Sequence, residues 1–131
     1  MSERTDGDHR HDGMAVRRAV LGDAHVDRSI AKSTAFTESF QDYIIRTAWG
    51  DVWTRPGLDR RTRSVITLTA LLSLGQENEL RLHIRGALNN GLTQDEIGEV
   101  FLHAAVYAGV PAANSAFSIA QEVFAAMKSE E

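Results

Sequence analysis

Cysteine is absent from this chain of 131 residues. That excludes disulfides, thiolate zinc sites, iron–sulfur ligation and cysteine nucleophiles, and it fits a reducing cytoplasm. Proline occurs only at Pro56 and Pro111, and aromatic residues make up 7% of the chain. No apolar run approaches the roughly 18 residues that a membrane helix needs, and no signal-peptide pattern opens the chain. Positive charge is in deficit. The formal net charge is −4, so no nucleic-acid partner is expected. What is present is the length of one domain, 43% hydrophobic and 24% charged, the balance of a small soluble globular protein.

Residues 1–15 are polar and without apolar periodicity, and they read as a disordered leader before a domain over 16–131. The His9-Arg10-His11 triplet inside it lacks ordered partners that would make it a metal site. From residue 23 onward the pattern is helical, with about six helices and no sustained alternation of the kind strands show. Helices are expected over 23–33, 35–50, 59–74, 77–90, 94–108 and 112–127. The second carries Phe36, Phe40, Tyr43, Ile44 and Thr47 at helical spacing, and Arg55-Pro56-Gly57 then breaks the chain. The third is apolar nearly all round in its second half, which predicts a central buried helix. Thr93-Gln94-Asp95-Glu96 has the pattern of a capping box. The fold class is all-α, and its many small-residue faces suit packing between subunits as well as between helices.

Two helical histidines are candidates for chemistry. His83 lies among Leu80, Ile84 and Ala87, with Glu79 four residues earlier and so on the same face. A carboxylate beside an imidazole makes a proton donor or shuttle, but the same spacing also describes a surface pair with no task. As metal ligands the two are too few. His103 and Tyr107 are likewise one turn apart, placed to reach a shared polar pocket or simply to be satisfied by backbone and water. Arg55, Arg60, Arg61 and Arg63 crowd one stretch just after Trp49 and Trp53. Arginine forks match carboxylates bidentately and tryptophan offers a flat wall. The set therefore suits a small dicarboxylate with an unsaturated ring, or else acids of a neighbouring subunit. Glycine-rich phosphate loops, GxSxG and HExxH are all missing.

The run from Trp49 to Ser64, WGDVWTRPGLDRRTRS, with Glu79-Leu80-Arg81-Leu82-His83 and the run from His103 to Asn114, HAAVYAGVPAAN, closely resembles the carboxymuconolactone decarboxylase family. The likeness covers about residues 16–126. It implies an alkylhydroperoxidase D-like helical bundle, cofactor-free and homo-oligomeric as a trimer or hexamer, in the cytoplasm. The implied reaction converts gamma-carboxymuconolactone to beta-ketoadipate enol-lactone and CO₂ in the protocatechuate branch of the beta-ketoadipate pathway. Alkylhydroperoxidase D-like relatives carry Cys-x-x-Cys ahead of a histidine. On that alignment Gln76 and Glu79 stand at the thiol positions, His83 at the histidine and Ser64 at a glutamate. Without thiols a disulfide relay is excluded. On this reading His83, oriented by Glu79, delivers a proton, and His103 or Tyr107 serves the developing oxyanion. Arg55, Arg60, Arg61 and Arg85 hold substrate carboxylate beside Trp49 and Trp53. The alternatives are a non-catalytic helical oligomer or regulatory homologue, and an enzyme of another lactone or oxo-acid.

Overall fold

The structure, a computed structural model, describes residues 4–130. Every regular element among them is helical. These are α1 (Asp6–Leu21), α2 (Asp23–Ala31), α3 (Glu38–Ile44), a π-helix (Ile45–Val52), α4 (Arg60–Leu74), α5 (Glu77–Asn89), α6 (Gln94–Ala108) and α7 (Val110–Ser129). The chain divides into two compact units, Met1–Asp59 and Arg60–Glu131, rather than into a leader and one domain.

In the first unit, the segment read as a disordered leader is instead most of α1; its residues 1–3 lie outside those described. Two features explain the difference. Thr5 and Asp8 form a reciprocal capping box, the Asp8 N–H donating to Thr5 Oγ1 at 3.1 Å and the Thr5 N–H to Asp8 Oδ2 at 3.1 Å. The Thr5 backbone donor, followed by its side chain, holds the Asp8 carboxyl below its usual range. The helix also buries a narrow stripe, Gly13, Val16, Arg17, Val20 and Leu21, in which Gly13 lets the π-helix come close. α1 packs along the π-helix, with α2 on α1 and α3 on the π-helix. The aromatic residues at helical spacing over 35–50 do not form a buried face. Phe36, Phe40 and Tyr43 are exposed at 95%, 62% and 56%, while Ile45 and Trp49 are buried. The π-helix that follows packs along α1 and buries Ile45, Trp49 and Gly50.

The second unit follows the expected pattern closely. α4 contacts α5, α6 and α7, and the core gathers Leu68, Leu72, Leu80, Ile84, Ile97, Phe101, Ala116 and Ala120. The capping box at Thr93 and Glu96 is present. Gly109, at φ 103°, ends α6 and begins α7 in one residue. This backbone angle favours glycine, and Pro111 sits in the first turn that follows, where its missing N–H costs nothing. Phe101 meets Phe117 edge-on, ring centroids 5.6 Å apart. The one departure concerns α4, whose outward residues Ile66 and Leu74 remain exposed.

Candidate functional site

In the first unit the π-helix carries the tryptophan pair. The Trp53 N–H donates to Ala48 O at 3.0 Å, a bond spanning five residues that marks the wider coil. Residues four apart then lie nearly one above the other. Trp49 and Trp53 accordingly stack with centroids 5.1 Å apart and planes inclined by 30°. Trp49 is buried and Trp53 half-buried, so the pair offers one aromatic surface on a rigid support. Arg55 follows in an exposed turn, its N–H bonded to Val52 O at 3.1 Å.

The second unit carries the remaining candidates. Arg60 and Arg61 are exposed and Arg63 half-buried, all on the first turn of α4. Arg61 is ion-paired with Glu96, whose other carboxylate oxygen accepts from the Thr93 N–H at 3.0 Å. Arg85 is held bidentately by Glu130 at 2.9 and 3.1 Å, and Arg81 pairs with Glu122 at 2.6 Å. On α5, Glu79 is exposed and His83 half-buried one turn later. His83 Nδ1 is sealed from solvent, between Leu80 and Ile84, which are fully buried. On α6, His103 and Tyr107 lie ring against ring at 5.5 Å, but both face outward, with Tyr107 81% exposed. An open apolar groove of about 550 Å³, lined by Val65, Val100 and Val106, runs past His103. Among the described residues no three His, Asp or Glu side chains gather as metal ligands, and no helix is long and apolar enough to cross a membrane.

Ser64 and Asn90 are joined by a contact that the sequence did not reveal. Ser64 is 2% exposed, and Asn90 Nδ2 donates to its Oγ at 2.9 Å and to Arg60 O at 3.4 Å. In the sequence Asn89-Asn90-Gly91 signals only a helix stop. In the fold Asn90 ties the end of α5 to the arginine-bearing first turn of α4. Replacing Asn90 with alanine strands a buried hydroxyl, and the expected loss is about 1–3 kcal/mol of unfolding free energy. Urea denaturation measures it. Ser64→Ala should cost less in the Asn90→Ala background than alone, because the pair is then removed together.

The helical architecture, with His83 on the helix after α4 and no thiol anywhere, defines a cysteine-free protein of the alkylhydroperoxidase D-like class. The chain belongs to the carboxymuconolactone decarboxylase family, whose family model matches residues 38–122. It is 53% identical over 112 residues to a 4-carboxymuconolactone decarboxylase of Acinetobacter baylyi, covering 86% of this chain and 84% of that protein. It is 43% identical over 127 residues to a nitrosuccinic acid decarboxylase of Metarhizium robertsii, covering 93% and 89%. A 4-carboxymuconolactone decarboxylase of Pseudomonas putida matches at 57% over 47 residues, 35% of this chain and 98% of that sequence.

Proposed function

We propose that this chain is a carboxy-lyase that converts 4-carboxymuconolactone to beta-ketoadipate enol-lactone and CO₂, in the beta-ketoadipate pathway of aromatic breakdown. The observation that carries this reading is the 53% identity to the Acinetobacter decarboxylase over 86% of the chain. In the reaction the bond between the ring carbon and the departing carboxylate breaks. Its electron pair passes through the ring double bond to the lactone carbonyl, and one proton then goes to carbon. The lactone is its own electron sink, so the chemistry asks no cofactor for that task. The protein must anchor the side-arm carboxylate, stabilise the oxyanion and supply the proton.

The residue roles rest on residue type and on the setting of each residue within its own unit. Glu79 and His83 supply the proton from a partly covered position on α5. In the first unit Trp49 and Trp53 present a flat surface that suits a ring, and Arg55 suits a carboxylate; in the second unit Arg60 and Arg63 suit a carboxylate. Anchoring by Arg61 or Arg85 requires exchange of Glu96 or Glu130 for the substrate. His103 and Tyr107 serve the oxyanion once their outward face is covered. That face, with Leu102 at 60%, Val106 at 78% and Val110 at 72% exposure, supports a homo-oligomer, as do Phe36, Phe40 and Tyr43 in the first unit. The expected address is the cytoplasm.

Purified protein without added metal or cofactor should consume 4-carboxymuconolactone and release CO₂; no turnover on this substrate would remove the assignment. Light scattering should return a mass several times that of one chain, and a monomer would leave the exposed apolar faces unexplained. A second reading has its own support, the 43% identity to a nitrosuccinic acid decarboxylase over 93% of the chain. The two substrates share a logic. Each has two carboxylates and an electron-withdrawing group, a lactone carbonyl or a nitro group, that can accept the electron pair left by CO₂. Nitrosuccinate assayed in parallel discriminates between the readings through the ratio of kcat/KM values.

A further inference from the structure

The first unit contains a pocket of about 470 Å³, within the size range of small-molecule sites, and it uses none of the residues assigned to decarboxylation. Arg10 and Arg17 enter it from α1, and Arg46 from the π-helix. Arg17 is 7% exposed, and its Nη2 donates to Ser29 Oγ of α2 at 3.0 Å. Burying an arginine is costly unless the site around it is polar and well bonded, and a guanidinium's five N–H donors hold more than one acceptor at once. Arg10 and Arg46 share the Asp42 carboxylate, the latter at 2.8 Å, and Asp6 lies 3.8 Å from Arg46. The hydrogen bond from Arg46, aided by the charge of Arg10, holds the Asp42 carboxyl below its usual range.

Counting Asp6 beside Arg46, three carboxylates, Asp6, Glu38 and Asp42, balance the three arginines; Asp42 and Asp6 engage Arg10 and Arg46, while Arg17 meets the Ser29 hydroxyl. Ser29, Ser33 and Ser39 add hydroxyl donors, while Met14, Ile30 and Ile45 supply an apolar wall. An inorganic anion would use the arginines and serines and leave that wall unoccupied. A carboxylate on an apolar body would use both. We propose that this pocket binds a small organic carboxylate, with Arg17 as its principal cation. Because the lining comes from α1, α2, α3 and the π-helix, a bound ligand would brace the whole unit that carries the tryptophan pair.

Benzoate is the probe, with inorganic phosphate as the comparison. Both are titrated into the full-length protein at constant ionic strength and followed by calorimetry and by the thermal midpoint. Benzoate is expected to bind the wild type and raise its midpoint. Arg17→Met should weaken binding by about tenfold or more, the scale of a lost charge-assisted hydrogen bond. Ser39 is exposed, so Ser39→Glu places a negative charge at the pocket without disturbing the core. It should weaken benzoate similarly, even where Arg17→Met fails to fold. His83→Ala should bind benzoate as the wild type does, which separates this site from the decarboxylation reading. Absent binding, equal binding by Ser39→Glu, loss of binding in His83→Ala, or tighter binding of phosphate than of benzoate would each overturn the proposal.

Discussion

Replacing His83 with alanine is expected to lower kcat on 4-carboxymuconolactone by about 10²-fold or more, the usual contribution of a positioned acid, with little change in KM. In barrier terms that is about 2.7 kcal/mol. The physical contrast is with His103. His83 stands on α5 between two fully buried residues, with Nδ1 shielded from solvent. On the proposed reading, a proton held there would be delivered from surroundings partly cleared of water, where electrostatic interactions are stronger. His103 projects from α6 beside an open groove, and assembly would have to cover it. Because the acid acts on the transition state, its loss falls on kcat rather than on ground-state binding. His83→Gln, which keeps a hydrogen-bonding side chain of similar reach, should be nearly as slow because an amide does not titrate as an acid. Near-normal turnover in both variants, with the loss appearing in His103→Ala, would move the proton-donor role to α6.

How legible these features were depended on whether the information was local. The second unit was readable because its signals lie within a few residues of one another. The stripe Leu80, Ile84 and Ala87 is buried as its period demands, and the Thr93 capping box forms as its spacing indicates. The first unit hid its organisation in long-range contacts. α1 has too few apolar residues to announce itself, and its stability comes from a close approach to residues some 40 positions later. The π-helix is a matter of hydrogen-bond register, which hydrophobic period does not encode. Helical spacing picks out Phe36, Phe40 and Tyr43 in this stretch, whereas burial falls on Ile45 and Trp49. In the candidate site, residue types were legible and partners were not. Arg61 reads as a substrate fork from its place in the arginine cluster, and Arg85 enters only with the reaction that the resemblance implies. Their engagement by Glu96 and Glu130 depends on contacts 35 and 45 residues apart.

Substituting Gly50 with alanine is expected to damage the first unit severely. The π-helix crosses α1 at Gly50 and Gly13, and a Cβ on Gly50 would collide with the carbonyl group of His9, lying 2.8 Å from its carbon. A Cβ on Gly13 would meet the Ile45 carbonyl and sit 2.7 Å from Gly50 N. All of these are backbone atoms, so no side chain can swing aside, and relief requires the helices to separate. Alanine carries a propensity gain over glycine of about 0.8–1.0 kcal/mol in a helix, whereas overpacking costs typically 1–3 kcal/mol and occasionally more. With rigid backbone on both sides the upper part of that range applies, so the sign is a net loss. The thermal midpoint should fall by on the order of 10 °C. Gly57→Ala is the matched control, because nothing lies within 4 Å of a Cβ there, and its midpoint should barely move. Gly13→Ala strains the same crossing. Once one methyl group has forced the helices apart the second finds room, so the double variant should cost less than the sum of the two. Decarboxylation should decline with the fold in these variants, since the π-helix that loses its support carries Trp49. A wild-type midpoint in Gly50→Ala, or strict additivity with Gly13→Ala, would sink the account of a single close crossing.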